Sequence, residues 1–183
     1  SISIFLWLFV FSTFRESTTT LKNKLEILSE KKIDIKNFVC ENIYTNFIIF
    51  IHSSPIVIIL FFVSDFKFQF NLILTFVGLF LVIINLLLIS YLVTILSAMY
   101  KDIEKIVENL VYAFFFATPI IWSENMVSEK IQNLLIFNPI YHFIVLFRDP
   151  LMNNIDGKYY VSFSICLLLV LIVFIINLKL FKY

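Results

Sequence analysis

The run from Phe70 to Met99 carries no Asp, Glu, Lys or Arg. About 20 apolar residues are enough for a helix to cross the hydrocarbon core of a bilayer. In hydrocarbon every backbone N–H and C=O must be satisfied within the structure itself, which leaves a helix as the simplest form for one such run. Two further runs are long enough to span, Ile43 to Val63 and Tyr159 to Phe181. The rest of the chain agrees with a lipid solvent: 61% of residues are hydrophobic, 15% are charged, and mean hydropathy is +0.97. A soluble domain is about a quarter charged. The expected fold class is all-α, a polytopic transmembrane helix bundle.

Several kinds of chemistry are excluded early. Only two glycines occur, and no GxxxxGK[ST] loop is present to cradle a nucleotide phosphate. No HExxH or GxSxG occurs, and Cys40 and Cys166 lack metal-ligand spacing. The net charge of +1 gives no electrostatic footprint for nucleic acid. No metal, cofactor or catalytic residue is assigned to this chain.

The whole chain, 1–183, reads as one transmembrane domain. It opens on a partial span, 2–14, which is too short to cross alone. A polar stretch, 15–42, holds Arg15, Lys22, Lys24, Lys31, Lys32 and Lys36. Spans follow at 43–63, 70–99 and 103–122. The last begins amphipathically, with Ile103, Ile106, Val107, Leu110 and Val111 at helical spacing. The segment 123–150 is polar at first and then briefly apolar, broken at Asn138-Pro139. That length suits a re-entrant hairpin better than a span. The final span is 159–181. If the first run passes from outside to inside, the inner segments hold ten of the fourteen basic residues and the outer ones hold Lys67, Lys130, Arg148 and Lys158. That bias places the C-terminus on the cytoplasmic side.

Four features stand out within this frame. His52, followed by Ser53, Ser54 and Pro55, is an ionisable group in mid-span: a functional site or a neutral ring bonded to a neighbouring helix. Thr118-Pro119 either turns the chain back into the membrane or only kinks it. Asn138-Pro139 bends the next run, and Arg148 ends it, facing an anion or snorkelling to water. Ser17 to Leu28 reads as a short helix with Leu21, Leu25 and Leu28 on one stripe beside Glu26. It can dock on a soluble partner or lie flat on the membrane.

The stretches KDIEKIVENLVYAFFFATPIIW and LLIFNPIYHFIVLFRDPL resemble one family, the permease subunits of ABC-type exporters of O-antigen, capsular polysaccharide and teichoic acid. The likeness lies in Lys101-Asp102, Thr118-Pro119, Asn138-Pro139 and Arg148, in that order. It implies a pore-forming membrane subunit of an ATP-driven exporter, moving a polyprenyl-linked polysaccharide across a bacterial inner membrane. Relatives of six spans would make this chain N-terminally truncated. Leu21, Leu25, Glu26 and Leu28 would couple to a separate ATPase that binds ATP and Mg. Thr118, Pro119, Asn138, Pro139 and Arg148 would form the periplasmic gate, and a second permease copy would complete the pore.

Other readings stay open. A permease of the same kind could carry a drug or a lipid. A membrane-embedded glycosyltransferase or acyltransferase would have to rely on His52, His142 or the acids near Asp102. A non-transporting scaffold subunit is the last.

Overall fold

The computed structural model describes residues 2–31, 34–63 and 71–180. The side chains of residues 20–31, 56–58, 60–63 and 125 lie outside that description. The described residues form seven α-helices and one short 3-10 turn, with no strand. The helices are α1 (Ile2–Lys31), α2 (Ile35–Val63), α3 (Leu72–Met99), α4 (Ile103–Ala117), α5 (Glu129–Leu135), α6 (Pro139–Leu151) and α7 (Gly157–Leu180). The 3-10 turn Glu124–Met126 lies between α4 and α5.

α3 and α7 are each long and apolar enough to cross a membrane. The pair α5 and α6, bent by 92° at residues 136–138, is either one broken span or a re-entrant loop. α3 starts where Asn71 accepts a hydrogen bond from the Leu74 N–H at 3.2 Å, relieving one orphan donor of its first turn. Three polar ties then join α3 to α7. The Tyr159 hydroxyl donates to the Leu74 carbonyl (3.1 Å), Asn85 to the Cys166 carbonyl (3.2 Å), and Asn177 to the Leu88 carbonyl (3.0 Å). Their order along both helices makes α3 and α7 run parallel. In lipid, where apolar packing gives little driving force between helices, such bonds help to hold the pair.

α1 departs from the sequence expectation. The apolar run and the polar helix after it form one unbroken helix of 30 residues, about 45 Å long at 1.5 Å per residue. Arg15 and Glu16 mark no break in it. No Gly or Pro occurs in the segment, and residues such as Arg, Glu, Lys and Leu sustain a helix whether lipid or water surrounds them. α2 likewise begins at Ile35, inside the stretch expected to be a loop. A buried polar seam joins these extensions. Asn42 donates to the Thr13 carbonyl (3.3 Å) and to Ser17 Oγ (3.1 Å), Asn46 donates to Glu16 (2.7 Å), and Thr94 of α3 donates to the Ser17 carbonyl (3.0 Å).

α1 packs against α2, α3, α4 and α6. Leu6, Val10, Val82, Leu86, Phe143, Ile144 and Leu146 form the fully buried centre. The outer faces are apolar as well. Ile73, Phe76 and Phe80 recur at helical spacing along α3 and are 77%, 67% and 66% exposed, as a lipid-facing stripe should be.

α3 and α6 touch at Gly78. A Cβ at that position would overlap the Leu146 carbonyl oxygen and lie 3.1 Å from the Leu146 carbonyl carbon. The absence of a side chain is what lets α6 sit directly on α3.

Candidate functional site

The two proline breaks meet. α4 stops at Ala117, five residues short of the expected end at 122. Thr118 is extended (φ −107°, ψ 142°), as a residue before proline is pushed to be, and Pro119 has no N–H to continue the ladder. A 15-residue helix is about 22 Å long, less than the hydrocarbon core. Thr118 Oγ1 donates to the Phe114 carbonyl at 2.6 Å, which occupies one of the orphan acceptors at the helix end.

The same oxygen accepts from Asn138 Nδ2 at 2.8 Å. Asn138 is itself extended before Pro139, and its Oδ1 caps α6 by accepting from the Ile140 N–H (3.0 Å) and the Tyr141 N–H (3.4 Å). One amide side chain therefore both starts α6 and fastens it to the end of α4. Thr118, Pro119 and Asn138 are buried and Pro139 is half-buried. The sequence marks each of these residues, but nothing in the sequence marks the bond between them.

α6 is enclosed along almost its whole length, from Ile140 to Phe147. His142 is held at both ring nitrogens. A carbonyl can only accept, so Nε2–H donates to the Ile136 carbonyl (2.8 Å), and in the neutral ring Nδ1 accepts from Ser162 Oγ on α7 (2.9 Å). This histidine fixes the bend rather than offering a free acid or base.

Arg148 closes α6 within a mixed charge cluster. Its Nε donates to Asp149 at 2.8 Å, and its Nη2 lies 3.4 Å from Glu124 Oε1. The other Glu124 oxygen takes Lys158 Nζ of α7 at 2.8 Å. Burial works against the charged form of Glu124, but Lys158 and then Arg148 outweigh it and hold the carboxyl below its ordinary range. Among the described residues no group of His, Cys, Asp and Glu could hold a metal ion.

The end of α4 and one side of α5 border an open groove of about 600 Å³. Phe114, Phe116, Trp122, Ile131, Leu134 and Phe137 line it.

The remaining expected residues lie elsewhere. His52 is exposed on α2, with Nδ1–H donating to the Ile48 carbonyl of its own helix at 2.9 Å. Ser53 does the same to the Ile49 carbonyl at 2.8 Å. Among the described residues neither bonds another helix, and the His52 ring turns away from this chain's own core. Leu21, Leu25, Glu26 and Leu28 fall on the far half of α1, but their side chains lie outside the described residues. Sequence reading missed Glu124, Lys158 and the Asn42–Asn46 pair. The spacing of the two asparagines on one helical face was the available signal for that pair.

No family model matches this chain. Over 74 residues, 40% of its length, it is 28% identical to two proteins of Klebsiella pneumoniae, each called O-antigen export system permease protein RfbA. The matched stretch spans 29% of the length of each of those relatives. Taken with the long apolar helices, this is a helical membrane protein whose likeness is to a transport component rather than to an enzyme.

Proposed function

We propose that this chain is the pore-forming membrane subunit of an ATP-driven exporter that moves a polysaccharide, carried on a polyprenyl lipid, out across a bacterial inner membrane. The observation that carries the reading is the likeness to permeases of O-antigen export. The geometry supports it. A short α4, a proline break and the bent α5–α6 pair make a hairpin that suits the outer end of a pore, where irregular backbone needs cover from protein or water.

In this reading a separate ATPase holds ATP and Mg and docks on the far half of α1, around Leu21, Leu25, Glu26 and Leu28. A second permease copy supplies the other wall of the pore, and the C-terminus is cytoplasmic. Thr118, Pro119, Asn138, Pro139 and Arg148 belong to the outer gate. Closure of the ATPase pair pushes on α1, and the helices shift as rigid bodies. The continuity of α1 favours this, because no hinge separates its docking half from its packed half.

The test is surface display of glycan in the native host after deletion of the gene, with complementation by the wild type and by Leu25→Asp. Loss of surface glycan, internal accumulation, and rescue by the wild type but not by Leu25→Asp are expected. Unchanged glycan display on deletion overturns the reading. Altered drug or lipid tolerance in its place would move the cargo to that class.

A further inference from the structure

The connection between α4 and α6 is secured differently from the rest of the bundle. Every residue of α5 from Glu129 to Leu134 is exposed except Gln132, which is half-buried and bonds only to the Glu124 and Val127 carbonyls of the same connection. Within α5 Leu135 is the buried residue, in a small cluster with Tyr141 and Val145 that Trp122 joins and that stands apart from the main core; Ile120, at the start of the connection, is packed in the main core. The apolar groove lies between α5 and the end of α4. At its two ends the connection is closed by the Thr118–Asn138 hydrogen bond. Between them, among the described residues, the ionic tie to the packed helices runs through one carboxylate, that of Glu124, which reaches Arg148 on α6 with one oxygen and Lys158 on α7 with the other and is also hydrogen-bonded by Tyr141 of α6; near the bend His142 holds the Ile136 carbonyl. Asp149 holds Arg148 in position for this contact at 2.8 Å.

We propose that residues 121–135 form a flap, held at its ends by the buried Ile120 and by the Thr118–Asn138 bond and latched by Glu124 on Arg148 and Lys158, and that its release widens the groove between α4 and α5. The latch is electrostatic and only partly open to solvent. The Glu124 and Arg148 side chains are 13% and 20% exposed and that of Lys158 is 56% exposed. A contact of this kind is strong enough to bias a lightly packed segment and weak enough to break without unfolding the core. The device deepens the gate reading but does not require it, since the flap can be observed without any transport.

The experiment is hydrogen exchange on the intact chain in detergent micelles, comparing wild type, Glu124→Gln, Lys158→Gln and the double variant. Amides of residues 121–135 should exchange roughly threefold to tenfold faster in Glu124→Gln, with α3 and α7 unchanged. Lys158→Gln alters an exposed side chain and should give a smaller effect in the same residues. The double variant should be no faster than Glu124→Gln, because the partner is already lost. Raising salt from about 0.1 M to about 1 M shortens the screening length from about 10 Å to about 3 Å and should speed the same amides in wild type but not in Glu124→Gln. Unchanged exchange in 121–135 for Glu124→Gln overturns the latch. Acceleration spread over α3 and α7 overturns it as well, since Glu124 would then support the whole fold. A flap that responds in a chain that fails the glycan test would leave the latch standing and remove the exporter.

Discussion

Replacing Asn138 by Ala removes two separate interactions, and their sizes follow from the geometry. The first is the helix cap: Oδ1 accepts from the Ile140 and Tyr141 N–H groups, and losing such a cap costs about 1 kcal/mol. The second is the buried bond from Nδ2 to Thr118, worth about 1 kcal/mol net. Asn138→Ala should therefore destabilise by about 2 kcal/mol. Thr118→Val keeps the shape but loses the bond to the Phe114 carbonyl and strands Asn138 Nδ2 without a partner, for a similar total of about 2 kcal/mol. The double variant should cost about 1 kcal/mol less than the sum, because the shared bond is counted twice in the singles. Denaturant titration in micelles reads this, with two tryptophans as reporters. Trp7 is buried in the main core and Trp122 sits on the small outer cluster, so Trp122→Phe and Trp7→Phe backgrounds separate global from local loss. If the two substitutions add to within about 0.5 kcal/mol, the Thr118–Asn138 bond does not couple the breaks and the account of the hairpin fails.

Three other outcomes follow from the same structure. Gly78→Ala places a methyl group on the Leu146 carbonyl and should cost about 1–3 kcal/mol by forcing α6 off α3, read as a lowered unfolding midpoint. An unaltered midpoint would mean that the two helices are not in contact there. Glu124 sits below its ordinary value of about 4.5, so its ion pairs contribute fully above that pH and are lost as the pH falls through the folded value. Wild type should lose stability below about pH 4.5 more steeply than Glu124→Gln, and coincident curves would remove Glu124 from the balance. Asn42→Ala strips two donors from the α1–α2 seam and leaves Asn46 without its Asn42 Oδ1 acceptor, at about 1–3 kcal/mol. A change below about 0.5 kcal/mol would show the seam to be idle.

The helices that sequence reading placed best, α3 and α7, are those where an uncharged run leaves the backbone little alternative. It placed the ends of α1 and α2 less well, and the reason is physical. Hydropathy reports where lipid gives way to water, not where a helix stops, and nothing at Arg15 or Glu16 interrupts hydrogen bonding along α1. Pro119 and Pro139 announced the breaks because a missing N–H is visible in the residue type. The bond between Thr118 and Asn138 joins positions 20 apart, and the tie from Glu124 to Lys158 joins positions 34 apart, so both depend on how α6 and α7 pack. For His52 the residue type and its place in an apolar run predict a position within a span but not a direction, and the ring faces outward.

The polar seam sits close to the middle of α1. Its contacts fall at Thr13, Glu16 and Ser17, which leaves about 16 Å of helix beyond Thr13 toward Ile2 and about 21 Å beyond Ser17 toward Lys31. Directional bonds resist sliding more than they resist a small tilt, so α1 is set up as a see-saw on a near-central fulcrum, with the shorter arm toward Ile2. A displacement at the Lys31 end would reappear at the other with opposite sign and somewhat smaller size. There Phe5 stacks on Phe50 (4.2 Å) and lies 6.4 Å from the Phe147 ring of α6. Spin labels near the two ends should therefore swing in opposite senses against α3, and a flexible Gly-Gly step at Ser17–Thr18 should abolish that correlation while leaving both halves helical.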